Sequence, residues 1–537
     1  SASFDKNMAA DKCSRIKRLR DSLLIPPSVC LERLRAMTCV YRETEGQPVP
    51  LRRALALKRL MENIPVFIQE DEFIVERTTG KKRGSPFMPE IRYDWYLKEI
   101  DTISTRDIDK FQPLLPGERE ELEKLIPYWE GKSVNESGNS TMPDGLWEKF
   151  TGIIGGGCSS NNHYFGHQSV DYTVILTNGA EKLINKLNKK IASVDICDPK
   201  QMHMRTNWQA MKISLEAAVI IANRYADEAA RLADIETNAF RKEELLKISQ
   251  ICRKVPAKPA STFEEAVQCI WFTFIVLINE AWGNAVGFMR IDQYLYPYFK
   301  HDFDAGILTK ARAYELMAMI MIKTNESVIL YGKEAAANMA GFCIGSNFVI
   351  GGCDSSGKCA VNDLSYIILD AEEDVALNSE EIVIRVSEDM PDSFLLRCCE
   401  IAKKLCGKFK FIGDKAAISQ MLVDGRTIEQ ARNYVVIGCT SPSVPGQSID
   451  WLHSSLNAAM VLEMTFNNGI SPVSHLQAGP RTGRAEDFVT YEQLWEAYKT
   501  QLIYTRNVAR LRGNIELEND AKMSPNPFQS SLSPICF

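Results

Sequence analysis

Cys439 sits in Tyr434-Val-Val-Ile-Gly-Cys-Thr-Ser-Pro-Ser-Val-Pro-Gly446, where a short apolar run meets a Gly-Cys step and a Pro/Gly-rich turn. The run reads as a buried strand, Tyr434 to Ile437, and the turn lifts one thiol out of its end. A thiol reacts as a thiolate or as a thiyl radical, and thiolate chemistry needs a His, a cation or a helix N-terminus to lower the pKa. The nearest His in sequence is His453, beyond the turn, and the Cys/His/Asn signature of a cysteine protease is absent. On the residues alone, two readings of Cys439 stay open: a reactive thiol and a buried structural one.

The other candidates read more plainly. His163 and His167 stand four apart without an acidic partner, a spacing that fits hydrogen bonding better than metal ligation. Fifteen cysteines include no Cys-x-x-Cys pair, and no His follows at finger spacing, so a zinc or iron–sulfur site is not expected. The odd count, without an export signal, argues against a disulfide framework and for a reducing cytoplasm. Single thiols such as Cys398 and Cys399 read as small core residues. Arg290 and Asp292 read as a structural ion pair, and Trp282 as core. Gly155 to Gly157 lacks the Lys-Ser/Thr of a phosphate-binding loop.

The elements that must position these residues follow from periodicity. The chain has 537 residues, 45% hydrophobic and 25% charged, a soluble globular composition. A net charge of -6 argues against nucleic-acid binding. The most apolar window, Cys269 to Ile278, is half the roughly 20 residues that span a bilayer. Apolar spacing predicts helices over Ser28–Arg42, Leu51–Glu62, Glu118–Trp129, Met202–Cys252, Asp304–Lys323, Ser393–Leu405 and Leu456–Phe466. Thr262-Phe-Glu-Glu265 is a capping box opening the apolar helix toward Trp282. Asn135–Gly145 and Gly80–Pro89 read as loops. Strands are expected at Gly341–Gly352, Glu381–Val386 and Lys408–Ile412, with a helical turn at Thr427–Arg432 before Tyr434. Strands alternating with helices predict an α/β architecture.

Several blocks, in order, resemble the glycyl radical enzymes of the pyruvate formate-lyase superfamily. They are Asp101 to Arg106, Ile126-Pro-Tyr-Trp-Glu-Gly-Lys132, Gly166-His167 with Asp171-Tyr172, Arg290-Ile-Asp-Gln-Tyr-Leu-Tyr-Pro-Tyr-Phe299, Asn362 to Asp370, and the Gly438-Cys439 loop. The resemblance covers essentially the whole chain. It implies one domain, a ten-stranded α/β barrel of two parallel half-barrels, with residues 1–150 a helical N-terminal region and 151–537 the barrel. The Cys loop at 434–446 would lie inside it. It implies that Cys439 becomes a thiyl radical that takes hydrogen from a small-molecule substrate. The oxidant is a backbone glycyl radical installed by a radical-SAM activating enzyme, which uses S-adenosylmethionine and a 4Fe-4S cluster. No cofactor bound in this chain and no metal are expected. A homodimer, with or without small accessory subunits, follows from the same resemblance, as does an anaerobic setting. The family's Arg-Val-x-Gly-Tyr type motif, which carries the radical glycine near the C-terminus, is absent. The chain stops on Ile535-Cys-Phe537. The expectation is a missing C-terminal segment, or the glycine on a second polypeptide.

The subclass is read from the same loop. Many members carry Gly-Cys-Val-Glu, with the Glu as general base, where this chain has Ser441. A Ser hydroxyl takes no proton near neutral pH without a base of its own, which points away from base-assisted loss of water, amine or sulfite. Against the hydroxyproline dehydratase, an acidic residue falls on Asn284 and a tyrosine on Ser455, and only His167 is retained. The Cys-Thr-Ser-Pro-Ser-Val-Pro-Gly446 stretch looks more like pyruvate formate-lyase, but Gly438 replaces the first of that enzyme's two adjacent cysteines. Fumarate-adding synthases need a cation, and Ser454 stands where an Arg would be sought. The expectation is C–C bond cleavage or formation, of formate-lyase, decarboxylase or fumarate-adding type, with His167, Asn284, Ser441 and Ser455 contacting substrate. The alternatives are a glycyl radical dehydratase or lyase with an unusual base, and a non-catalytic barrel homologue that binds a small molecule.

Overall fold

The computed structural model describes residues 10–155, 169–281, 286–333, 336–337, 345–438, 440–446 and 455–523. Cys439, His163, His167, Trp282 and Asn284 lie outside the described residues, as does the side chain of Ser455.

The described chain is mixed α/β and mostly helical. Its organising sheet is parallel: β4 (Ser346–Gly351), β5 (Glu380–Val386) and β6 (Phe409–Gly413) lie in that order, Ile382 paired with both Phe348 and Phe409. The Asp363–Val375 helix joins β4 to β5, and the Asp392–Lys404 helix joins β5 to β6. Parallel neighbours require such crossovers. Asn362 caps the first of these helices by accepting from the amides of Leu364 and Ser365.

Successive side chains of a strand point to opposite faces, and the sheet uses both. Phe348, Ile350, Ile382 and Ile384 join the large core under the helices, including the apolar Phe263–Ala281 helix. Val349 and Val383 join a second, smaller core with Tyr434, Val436 and Val444. That second face meets a hairpin of β7 (Val435–Ile437) and β8 (Ser441–Ser443), antiparallel, with Ile437 opposite Ser441.

The remaining described strands form two-stranded pairs. They are β1 (Ser28–Cys30) with β2 (Gly84–Pro86), and β3 (Ile154–Gly155) with β9 (Ser455–Leu456). Among the described residues the ladders do not link into a closed ten-stranded barrel. No described helix is long and apolar enough to cross a membrane.

Most predicted elements are present within a few residues, and the departures have local causes. Asn135–Gly145, read as a loop, contains the Val134–Thr141 helix. Its Ser133-Val-Asn-Glu136 is a capping box, the Ser133 hydroxyl accepting from the Glu136 amide at 3.2 Å and Glu136 answering at the Ser133 amide. Ser28–Cys30, predicted helical, is strand β1, and Gly84–Pro86 in the predicted loop is β2, its partner. The turn after Cys439 contains β8. The Thr262 box forms as predicted, Glu265 returning to the Thr262 amide.

The thiols correct a simpler expectation. Cys30, Cys252, Cys269, Cys353 and Cys398 are buried, but Cys39, Cys197, Cys399 and Cys406 are exposed. Cys398 and Cys399 therefore part company, because adjacent helical residues face about 100° apart.

Candidate active site

The strand that leads to Cys439 is built in an unusual way. One edge of β7 pairs with β8. On its other side, alternate carbonyls, those of Arg432, Tyr434, Val436 and Gly438, are held by side chains from β4, β5 and β6. Arg385 of β5 donates from Nη2 to Arg432 O at 2.9 Å and from Nη1 to Tyr434 O at 3.0 Å. Asn347 of β4 donates from Nδ2 to Val436 O at 2.9 Å and Gly438 O at 2.8 Å. Lys410 of β6 adds a third donor, Nζ to Gly438 O at 3.1 Å. Gly438 O belongs to the peptide whose nitrogen is that of Cys439.

These donors share one face because of register. Asn347 is level with Glu381, and Lys410 with Val383, so the β5 residues Glu381, Val383 and Arg385 alternate onto the side the hairpin occupies. Glu381 pairs with Lys410 across two strands. Asn347 is 1% exposed, so its amide exchanges water for main-chain oxygens. Leaving such a group unpaired costs about 1–3 kcal/mol.

Arg385 is fully buried and correspondingly well paired. Its Nε and Nη2 reach Asp414 at 2.9 and 3.0 Å, and its guanidinium stacks 3.9 Å from the centre of the Tyr434 ring. The Tyr434 hydroxyl donates to Asp414 Oδ1 at 2.8 Å. Burial alone would push the Asp414 carboxyl up, but the hydrogen bonds and charge of Arg385, with the Tyr434 hydroxyl, hold it below the usual carboxylate range. Burial pushes the Tyr434 phenol well up, so it remains a donor.

Gly438, at φ 57°, takes the left-handed turn that the three-residue connection 438–440 starts with. Glycine does so without the penalty a Cβ would bring. Gly287 answers a different need. A Cβ there would lie 2.6 Å from Asn347 O and 2.7 Å from Asn347 N, so its absence lets the 286–289 segment lie against β4, where Phe288 N donates to Asn347 O at 2.7 Å.

The described neighbours of the predicted site residues reach the hairpin in part. Ser169, two residues after His167, donates from its hydroxyl to Val444 O at 3.0 Å, and its carbonyl accepts from Gly446 N at 2.8 Å. Tyr172 donates to Gly287 O at 3.2 Å, three residues after Asn284. Ser441 is half-buried in β8, opposite Ile437. Ser455 lies in β9 opposite Gly155, and no described contact joins it to the hairpin.

Arg290 and Asp292 do not form the predicted ion pair. Arg290 Nη2 donates to Gly351 O at 3.1 Å and Cys353 O at 2.9 Å, while Asp292 Oδ2 accepts from Gly351 N at 2.8 Å and the Ser365 hydroxyl at 2.6 Å. Both bind the end of β4, Arg290 also the turn after it and Asp292 the Ser365 hydroxyl, rather than each other. Burial lowers the Arg290 pKa to about 10 and raises that of Asp292.

Asn347, Glu381 and Lys410 are absent from the sequence-based candidates. Only Lys410 carried a signal, a polar residue inside the apolar run Phe-Lys-Phe-Ile; Asn347 and Glu381 follow polar neighbours, Ser346 and Glu380, and read as strand starts. Among the described residues no group of three or more His, Cys, Asp or Glu is placed to hold a metal ion. A groove of about 480 Å³ lined by Arg92, Met142, Trp147 and Glu148, among others, shares no residue with the hairpin or its clamp.

The chain is 30% identical, over 98% of its own length and 67% of the relative's, to trans-4-hydroxy-L-proline dehydratase of Clostridioides difficile. It is 30% identical to isethionate sulfite-lyase of Oleidesulfovibrio alaskensis, over 95% of this chain and 63% of that one. The glycerol-bound B12-independent glycerol dehydratase from Clostridium butyricum superposes with a TM-score of 0.91 at 33% identity, covering 97% of this chain and 66% of that one. The chain thus spans about two thirds of the length of these proteins. These relatives are dehydratases and a carbon–sulfur lyase, so the expectation of C–C bond chemistry drawn from Ser441 finds no support among them. A profile of the pyruvate formate lyase-like family matches residues 7–537, and the chain belongs to that family of glycyl radical enzymes.

Proposed function

We propose that this chain is the substrate-binding and thiol-bearing part of a glycyl radical dehydratase or carbon–heteroatom lyase acting on a small polar organic molecule. Cys439 is its hydrogen-abstracting residue. The observation that supports this best is the clamp on β7, which holds the carbonyl bonded to the Cys439 nitrogen with two side-chain donors. A thiol that must approach one C–H bond needs a fixed backbone, since a misplacement of 1 Å can cost on the order of 10²-fold in rate. The reaction class rests on the relatives, which eliminate water or sulfite by their names. The ten-stranded barrel, the glycyl radical and its installation by a radical-SAM enzyme belong to the same proposal.

Ser441 shapes the reading without reversing it. Its hydroxyl is no base, so elimination here would use a base other than the residue two after Cys439. His167 and Asn284 are proposed substrate contacts, since Ser169 and Gly287 bring their segments to the hairpin and to Asn347. Ser441 is proposed as a third, from its place in β8, and Ser455 as a fourth.

The test is anaerobic activation of the natural full-length protein, followed by electron paramagnetic resonance and an elimination assay. The substrate panel would hold small diols, hydroxyproline and isethionate. The expected outcome is a glycyl doublet, turnover of at least one panel member, and complete loss of turnover in Cys439→Ala with the doublet retained. A doublet without elimination from any of them would turn the reading toward other radical chemistry. No doublet under conditions that activate a relative would support a non-catalytic homologue.

A further inference from the structure

Two cysteines are paired in backbone register beside the clamp. After β4 the chain folds back on itself, and Cys353 pairs with Cys359 as an antiparallel bridge. The flanking bonds, Asp354 N to Lys358 O and Ala360 N to Gly352 O, both 2.8 Å, make the cysteines a non-hydrogen-bonded pair. In such pairs the Cα atoms stand about 4.5 Å apart and the side chains leave the same face, inside the span of roughly 4.4–6.8 Å that a disulfide bridges. Both backbones are anchored. Asp414 accepts from the Cys353 amide at 2.8 Å and Arg290 donates to its carbonyl at 2.9 Å, while Asp389 accepts from the Cys359 amide at 2.7 Å.

The two thiols differ in access. Cys353 is 5% exposed and Cys359 is half-buried, and both are free. Burial, and then the Asp414 charge, raise the Cys353 pKa, but Arg385 Nη2 stands 3.7 Å from its sulfur and favours the thiolate. Among the described residues the pair has no third metal-ligating partner.

We propose that Cys353 and Cys359 are a reversible oxidation site that closes to an intramolecular disulfide by exchange with a low-molecular-weight disulfide. The Cys359 thiolate attacks one sulfur of the small disulfide, forming a mixed disulfide and releasing one small thiolate. The Cys353 thiolate then attacks the Cys359 sulfur and releases the second. Two protein thiols are oxidised, one small disulfide is reduced to two thiols, and the two protons lost by the cysteines pass through solvent to the released thiolates. Because the register already fits, closure needs no strand movement.

The experiment is anaerobic treatment of the reduced full chain with oxidised glutathione, alkylation of the remaining thiols, and tryptic mapping. Trypsin cuts after Lys358, between the two cysteines, so the disulfide joins peptide 334–358 to peptide 359–385. Cys343 shares the first peptide, so Cys343→Ser and Cys353→Ser variants assign the link. The expected result is a linked pair that forms in the parent and in Cys343→Ser, reverses with dithiothreitol, and falls at least tenfold in Cys353→Ser. Fragmentation of the linked peptides of the parent makes the same assignment if Cys353→Ser does not fold. The proposal is overturned by a link running through Cys343, by Cys359 recovered only as its glutathione adduct beside an alkylated Cys353, or by both thiols recovered alkylated.

Discussion

The two faces of the β4–β6 sheet are made by the same strands and do different work. One face is apolar, with Phe348, Ile350, Ile382 and Ile384 packed under helices. The other alternates apolar and polar residues, Val349 and Val383 between Asn347, Glu381, Arg385 and Lys410. The first face gains stability from area removed from water, which is not directional. The second gains less from area and adds hydrogen bonds, which fix where the β7 carbonyls sit. Stability and alignment are therefore separable here, and substitutions can test each alone.

The largest stability effect is expected where the hairpin face holds a buried charge. Asp414→Asn leaves the Arg385 guanidinium without its carboxylate, and breaking a buried pair from one side costs about 3–5 kcal/mol. The Asp414 pKa is depressed in the folded chain, so its contribution is full above the ordinary value of 3.8 and is lost as pH falls through the folded value. Urea unfolding should show the variant well below the parent at pH 7, the gap closing in acid below pH 3.8. A gap independent of pH would assign the loss to packing.

On the apolar face, Ile384→Ala should cost about 2–5 kcal/mol by the same assay. Turnover per folded molecule should stay unchanged. A large fall in kcat for this variant would break the division between the faces.

Asn347→Leu reverses the pattern. It should cost only about 1–3 kcal/mol, from Val436 O left without its side-chain donor, while Lys410 still donates to Gly438 O. Its fall in turnover should be larger than that of Ile384→Ala, roughly ten- to a hundredfold, with the glycyl radical still formed. Equal activity in the two variants would show that the clamp does not align the thiol.

Lys410→Met should have the smallest effect, within about 1 kcal/mol in stability, because the Lys410–Glu381 pair is partly open to solvent. A few-fold loss of turnover is expected, since Asn347 still holds Gly438 O. The double variant with Asn347→Leu should exceed the product of the singles, as residues sharing one partner couple.

What could be read in the sequence divides along the same line. The apolar face was legible, because Ile382 and Ile384 announce a strand by type and spacing. The hairpin face was only half legible. Lys410 stands out as a polar residue within an apolar run and Asn347 only as part of a polar strand start, but that they grip Gly438 and Val436, 28 and 89 residues away along the chain, is set by register between strands. Ser441 shows the opposite limit. Its lack of a base was plain, yet the inference to C–C chemistry failed to find support, because a reaction class depends on everything that surrounds the substrate. The capping box at Ser133 was visible and went unread, masked by the polar residues around it.

The hold on β7 also bears on how such a loop can change over generations. Arg385, Asn347 and Lys410 grip main-chain oxygens, which every residue type carries alike. None of the gripped oxygens belongs to residues 440–442, so side-chain changes there remove none of these hydrogen bonds, whereas Tyr434 is held by its ring and hydroxyl as well. The grip on this strand is a matter of main chain, and the side chains at 440–442 take no part in it.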